Sequence, residues 1–101
     1  MADSAGKTRI VFESSQKMSP TLDLDNAENI LAVDFSKGKT GVAISGVKKS
    51  SKLVKDIFET RKDDGFVLIF ALTQSSDILG QGYIPPGPST SNHRFYLDLK
   101  R

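Results

Sequence analysis

Val47-Lys48-Lys49-Ser50-Ser51-Lys52-Leu53-Val54-Lys55-Asp56-Ile57-Phe58-Glu59-Thr60-Arg61-Lys62 is the stretch where the hydrophobic period of the chain changes. Leu53, Val54, Ile57 and Phe58 fall at helical spacing, with Val47 one and two turns earlier. The intervening positions are mostly Lys, Asp and Glu. Ser50 or Ser51 supplies an N-cap, and Gly65 suits the C-terminal stop. This spacing predicts one amphipathic helix over residues 49–62.

On either side the pattern is that of strands. Phe66-Val67-Leu68-Ile69-Phe70-Ala71-Leu72 is apolar at every position, which predicts a central strand covered on both faces. Upstream, Ile30 to Phe35 and Thr40 to Ser45 flank the turn Ser36-Lys37-Gly38-Lys39, the strongest hairpin signal in the chain. Thr21-Leu22-Asp23-Leu24-Asp25 alternates, and Asn26 to Asn29 interrupts it, so residues 20–35 read as one broken strand. In Thr8 to Ser14, Ile10 and Phe12 share a face. Residues 75–92 form a long connection with Gly80, Gly82 and Pro85-Pro86-Gly87-Pro88, with a candidate short strand at Gln81 to Ile84. At the end, Phe95, Leu97 and Leu99 alternate with Arg94, Tyr96, Asp98 and Lys100.

The chain has 101 residues, enough for one domain. The expected organisation is a disordered tail at 1–7 and one β-rich domain at 8–101. The expected core is Ile10, Phe12, Val33, Phe35, Val42, Ile44, Val54, Ile57, Phe58, Leu68, Phe70, Phe95 and Leu97. The fold class is mostly β with one helix. The element order is that of the OB-fold, a small five-stranded Greek-key barrel that binds oligonucleotides and oligosaccharides. An open antiparallel sheet with the helix packed on one face is the alternative.

The chemistry of catalysis is poorly represented. The chain has no Cys, which excludes disulfides, thiolate metal sites and thiol catalysis. The single His, His93, stands without a G-x-S-x-G motif to support a nucleophile. Asp23, Asp25 and Glu28 lack the calcium-loop pattern and read as an acidic strand edge. Gly80-Gln81-Gly82 lacks the third glycine of a dinucleotide loop. The chain is therefore read as a non-enzyme with no cofactor and no metal. Met1-Ala2-Asp3-Ser4-Ala5-Gly6 shows no signal peptide and no run spans a membrane, so a cytoplasmic location is expected, in a cell or in an infected host cell.

Charge points to a polyanion. Residues 36–55 hold Lys37, Lys39, Lys48, Lys49, Lys52 and Lys55 and no acid, a local charge of +6 against −4 for the rest of the chain. Arg94, Tyr96 and Lys100 add cations interleaved with an aromatic ring on the non-core face of the last strand, and Tyr83 is a second, mobile stacking contact. Single-stranded nucleic acid needs that combination, cations for phosphates and a ring for bases. The candidate nucleic-acid-binding residues are Lys37, Lys39, Lys48, Lys49, Lys52, Tyr83, Arg94, Tyr96 and Lys100. A solvated helix face and hairpin tip would account for the same lysines, and Asp98 opposes the field.

Val42-Ala43-Ile44-Ser45, Ser51-Lys52-Leu53-Val54-Lys55-Asp56-Ile57-Phe58, Phe66-Val67-Leu68-Ile69, Thr73-Gln74-Ser75-Ser76 and Arg94-Phe95-Tyr96-Leu97-Asp98-Leu99 resemble the C-terminal part of phage-type single-stranded DNA-binding proteins. The resemblance covers residues 41–101 and implies an OB-type barrel. The Pro-rich insert at 77–92 and the short N-terminal half depart from that pattern. Residues 94–100 are also similar to a strand of the Pur-type nucleic-acid-binding repeat, although that repeat continues where this chain ends. The function expected is non-catalytic binding of single-stranded DNA. The alternative is a structural or protein-interaction module, such as a virion component or adaptor, with a second copy or another protein as its partner.

Overall fold

The computed structural model describes residues 1–17, 19–36, 43–45, 51–62, 65–88 and 91–101. Among these residues there are nine strands and no helix. In chain order they are β1 (Ala2–Ser4), β2 (Lys7–Ser14), β3 (Thr21–Asp25), β4 (Ile30–Ser36), β5 (Ala43–Ser45), β6 (Val54–Lys62), β7 (Gly65–Leu72), β8 (Ile78–Ile84) and β9 (His93–Lys100). One antiparallel sheet runs β1-β2-β9-β8, with β5 also paired to β2, and the other runs β3-β4-β7-β6. The two are separate sheets facing each other across one core, so the five-stranded barrel is overturned, as is the open sheet carrying a helix.

The helical spacing at 53–58 is produced by a β-bulge. In a regular strand Val54 and Ile57, three positions apart, would point to opposite faces. The register of β6 on β7 shifts between Val54 and Asp56, which inserts one residue and restores the parity. Val54 then sits opposite Leu72, and Ile57 sits opposite the fully buried Phe70. Phe58 is turned outward beside Ile69 and is 53% exposed, so it is not a core residue. Leu53 is buried in the bend that precedes the strand.

Two other connections also differ from expectation. The interruption at Asn26 to Asn29 is the turn of a β3–β4 hairpin, not a break in one strand. The Asp25 carboxylate accepts from the N–H groups of Ala27 and Glu28, and Asn29 takes φ 54°, a left-handed conformation that Asn tolerates. Conversely, β4 and β5 do not form the expected hairpin, because β4 lies between β3 and β7 while β5 pairs with β2 in the other sheet. Gly38 and Val42 lie outside the described residues. The long connection is shortened by β8, which spans seven residues of it.

The core joins the two sheets through aromatic rings. Phe12 of β2 meets Phe35 of β4 at 5.3 Å and Phe70 of β7 at 6.1 Å, both edge to face. Ile10, Leu97 and Leu99 complete one side, and Leu31, Val33, Leu68 and Leu72 the other. Strand β7 is central, as expected, but among the described residues one of its faces is fully buried and the other only half-buried. Phe66, Leu68, Phe70 and Leu72 are buried, whereas Val67, Ile69 and Ala71 are half-buried.

The N-terminus, expected to be a tail, pairs with β2. Asp3 holds it there. Its carboxylate accepts from Thr8 Oγ1 at 2.7 Å, Ser51 Oγ at 2.8 Å and the Lys52 N–H at 2.9 Å, with Arg101 nearby at 3.8 Å. The Lys52 N–H, followed by Thr8, pulls the Asp3 pKa from 3.8 down to about 2 against the opposing effect of burial. A carboxylate with a depressed folded pKa stabilises the fold above its unfolded value and loses that contribution as pH falls through the folded one. The Asp3 contribution is therefore whole above pH 3.8 and fades toward about 2. Asp3→Asn should lower stability near neutrality by about 1 kcal/mol, the low end for bonds to an accessible charged group. It should also flatten the loss between those pH values, as read from urea midpoints at each pH. An acid limb identical to that of the parent chain would remove Asp3 from this role.

Candidate functional site

The outer face of the five-stranded sheet is set by the parity of β2 and β9. Burying Ile10 and Phe12 turns Lys7, Arg9, Val11 and Glu13 outward, and burying Phe95, Leu97 and Leu99 does the same for Arg94, Tyr96, Asp98 and Lys100. Antiparallel register then lays these rows side by side. Lys7 faces Lys100, Arg9 faces Asp98, Val11 faces Tyr96, and Glu13 faces Arg94. On the other flank Gly80 faces Asp98, Gly82 faces Tyr96 and Ile84 faces Arg94.

Tyr96 is the centre of this face. Its ring lies against Gly82, where a Cβ would stand 2.6 Å from Cε1, so only glycine leaves the ring its place. The Arg9 guanidinium lies over the ring, 4.5 Å from its centroid. That guanidinium is itself fixed by Asp98, through Nε to Oδ1 at 2.8 Å and Nη2 to Oδ2 at 2.9 Å, and Lys7 Nζ joins at 3.5 Å. The Arg9 bonds hold the Asp98 carboxyl below the usual carboxylate range, outweighing its burial. Among the described residues Arg94 and Lys100 are in no ion pair, and Arg94 Nε has no hydrogen-bond partner. Among the described residues the face thus carries two paired cations around a ring, two unpaired ones beside it, and Glu13 opposite Arg94.

Of the residues singled out in the sequence, Arg94, Tyr96 and Lys100 come together here. Tyr83 does not. It is part of β8 rather than of a mobile loop, and it faces Phe95 on the opposite side of the sheet. There its hydroxyl meets His93 Nδ1 at 2.5 Å, and Lys17 Nζ lies 4.9 Å from its ring centroid. Lys52 is exposed in the bend beside Asp3, away from the Tyr96 face. Lys37, Lys39, Lys48 and Lys49 lie outside the described residues. Lys7 and Arg9 belong to the face and were not singled out. Their signal was the alternation of Lys7 and Arg9 with the buried Thr8 and Ile10, which only the β2–β9 pairing connects to Tyr96.

The acidic edge reads as the sequence suggested. Asp23 and Asp25 are exposed on β3, an edge strand, and Asp25 is engaged in its own turn. Among the described residues no group of His, Asp or Glu is arranged to hold a metal ion. No helix among them is long and apolar enough to cross a membrane. Compared with family models, curated proteins and solved structures, the chain matches none.

Proposed function

We propose that the chain binds single-stranded nucleic acid, without catalysis, on the outer face of its five-stranded sheet. The observation that supports this most is the grouping of Tyr96, the Arg9 guanidinium over it, and the unpaired cations Arg94 and Lys100 on one side of β9. Rings and guanidinium planes both stack on nucleobases, and the two free cations are placed to meet phosphates. Duplex DNA keeps its bases stacked inside and offers such a ring nothing to stack on.

Fluorescence anisotropy with labelled single-stranded and double-stranded oligonucleotides, at two salt concentrations, tests this reading. Single strands should bind more tightly, and added salt should weaken them. Tyr96→Ala should cost about 1–3 kcal/mol of affinity with little change in salt slope. Arg94→Ala and Lys100→Ala should each reduce the slope by about 0.7 per lost phosphate contact. Gly82→Ala adds a separate check. The displaced atoms are the far end of the Tyr96 side chain, so the fold should persist while the ring is moved and affinity drops toward that of Tyr96→Ala. A flat response to both kinds of oligonucleotide would favour a protein-interaction module instead. The half-buried apolar row Val67, Ile69 and Ala71 with exposed Phe58 on the other sheet would then be the surface to examine.

A further inference from the structure

The edges of the two sheets are not treated alike by the sequence. Unpaired strand edges invite pairing with another chain, and proteins blunt them with charge, brevity or bulges. Strand β6 carries Lys55, Asp56, Glu59, Arg61 and Lys62 along with its bulge, and β3 carries Asp23 and Asp25. The third edge is divided between β1 and β5, each three residues long. Strand β8 is different. Ile78-Leu79-Gly80-Gln81-Gly82-Tyr83-Ile84 is seven residues long and has no charge. Its bulge falls at one end, between Ile78 and Gly80, and leaves Leu79 54% exposed. Beyond it the register on β9 is regular through Ile84, and Pro85 and Pro86 then end the run of N–H donors. Among the described residues no strand pairs with the outer side of β8.

We infer that β8 is a self-association edge, on which a second copy of this chain adds its own β8 in antiparallel order. The sequence of the edge is compatible with its own reversal. A two-fold axis through Gln81 sets Gly80 against Gly82 within the regular stretch that follows the bulge, so glycine meets glycine and no side chain at those positions obstructs the approach. Because the edge is uncharged, like charges never oppose each other, whereas the same operation on β3 would bring Asp23 and Asp25 toward their own copies. The contact is isologous and closes at two copies, joining the two five-stranded sheets into one. It is independent of the nucleic-acid reading, since it is measured with no oligonucleotide present.

Sedimentation equilibrium of the chain alone should show the mass rising with concentration toward twice 11.0 kDa. Leu79→Lys combined with Gln81→Lys should hold the chain at monomer mass. The chain contains no Cys, so single cysteines report on proximity without background. Gln81→Cys should form a disulfide-linked dimer under mild oxidation, and Glu59→Cys on β6 should not. Should the double lysine variant fail to fold, the cysteine pair still decides. A parent chain that stays monomeric at every concentration would overturn the inference. So would a dimer that survives the lysines but is lost with Phe58→Lys, or Glu59→Cys linking as readily as Gln81→Cys.

Discussion

Phe12→Ala should lower the stability of the chain by about 3–5 kcal/mol, the range for deleting a core aromatic residue. Phe12 has no exposed surface and touches rings from both sheets, Phe35 and Phe70 across the core and Phe95 at 6.3 Å in its own sheet. Its loss leaves a void that the sheets fill only in part, because the backbone of each is held in place by its own hydrogen-bonded ladder. A domain of this size has roughly 5–15 kcal/mol in total, so the variant should be folded only marginally. Urea denaturation measures the effect as a drop in midpoint at constant slope. Phe58→Ala is the matched control. Both residues look like core in the sequence, but Phe58 is outside the bulged strand against Ile69 and should cost under about 1 kcal/mol. Equal losses at the two positions would mean that β6 does not turn Phe58 to solvent.

That contrast marks what the sequence could and could not reveal. Regular alternation reported burial faithfully in β2, β4 and β9, where nothing disturbs the period of two, and Ile10, Phe12, Val33, Phe35, Phe95 and Leu97 are buried as expected. The outward row Arg94, Tyr96 and Lys100 followed from the same alternation. In β6 one inserted residue converts a period of two into something close to that of a helix over six positions. No local reading separates these, because the bulge is defined by the partner strand β7. Strand pairing was equally hidden. Ile30–Ser36 and Ala43–Ser45 are neighbours in sequence, yet they belong to different sheets. Lys7 and Arg9 became part of the candidate site only through a contact spanning nearly the whole chain, Arg9 to Asp98.

Asp98→Asn should move stability and nucleic-acid affinity in opposite directions. Asp98 is buried and pairs with both Arg9 and Lys7 in the middle of the cationic face, offsetting one of their two charges. Asparagine keeps the shape but gives up the charge and half of the paired acceptor geometry. The cost should be about 1–2 kcal/mol, below the full value for charged hydrogen bonds because Arg9 remains partly solvated. The pH dependence follows from the same group. Asp98 is held below the usual carboxylate range, so its contribution is present above the unfolded value and is lost as pH falls through the folded one. The variant should therefore lack that part of the acid limb. Binding should change the other way. One negative charge leaves the face, and Arg9 and Lys7 are released to meet phosphates. Affinity for a single strand should rise, and the salt slope should steepen by about 0.7 for each phosphate newly engaged. A surface that served only to hold the sheet together would lose stability and gain nothing. Affinity and salt slope that are unchanged while the urea midpoint falls would confine the Asp98 cluster to the fold and remove the Tyr96 face as a nucleic-acid surface.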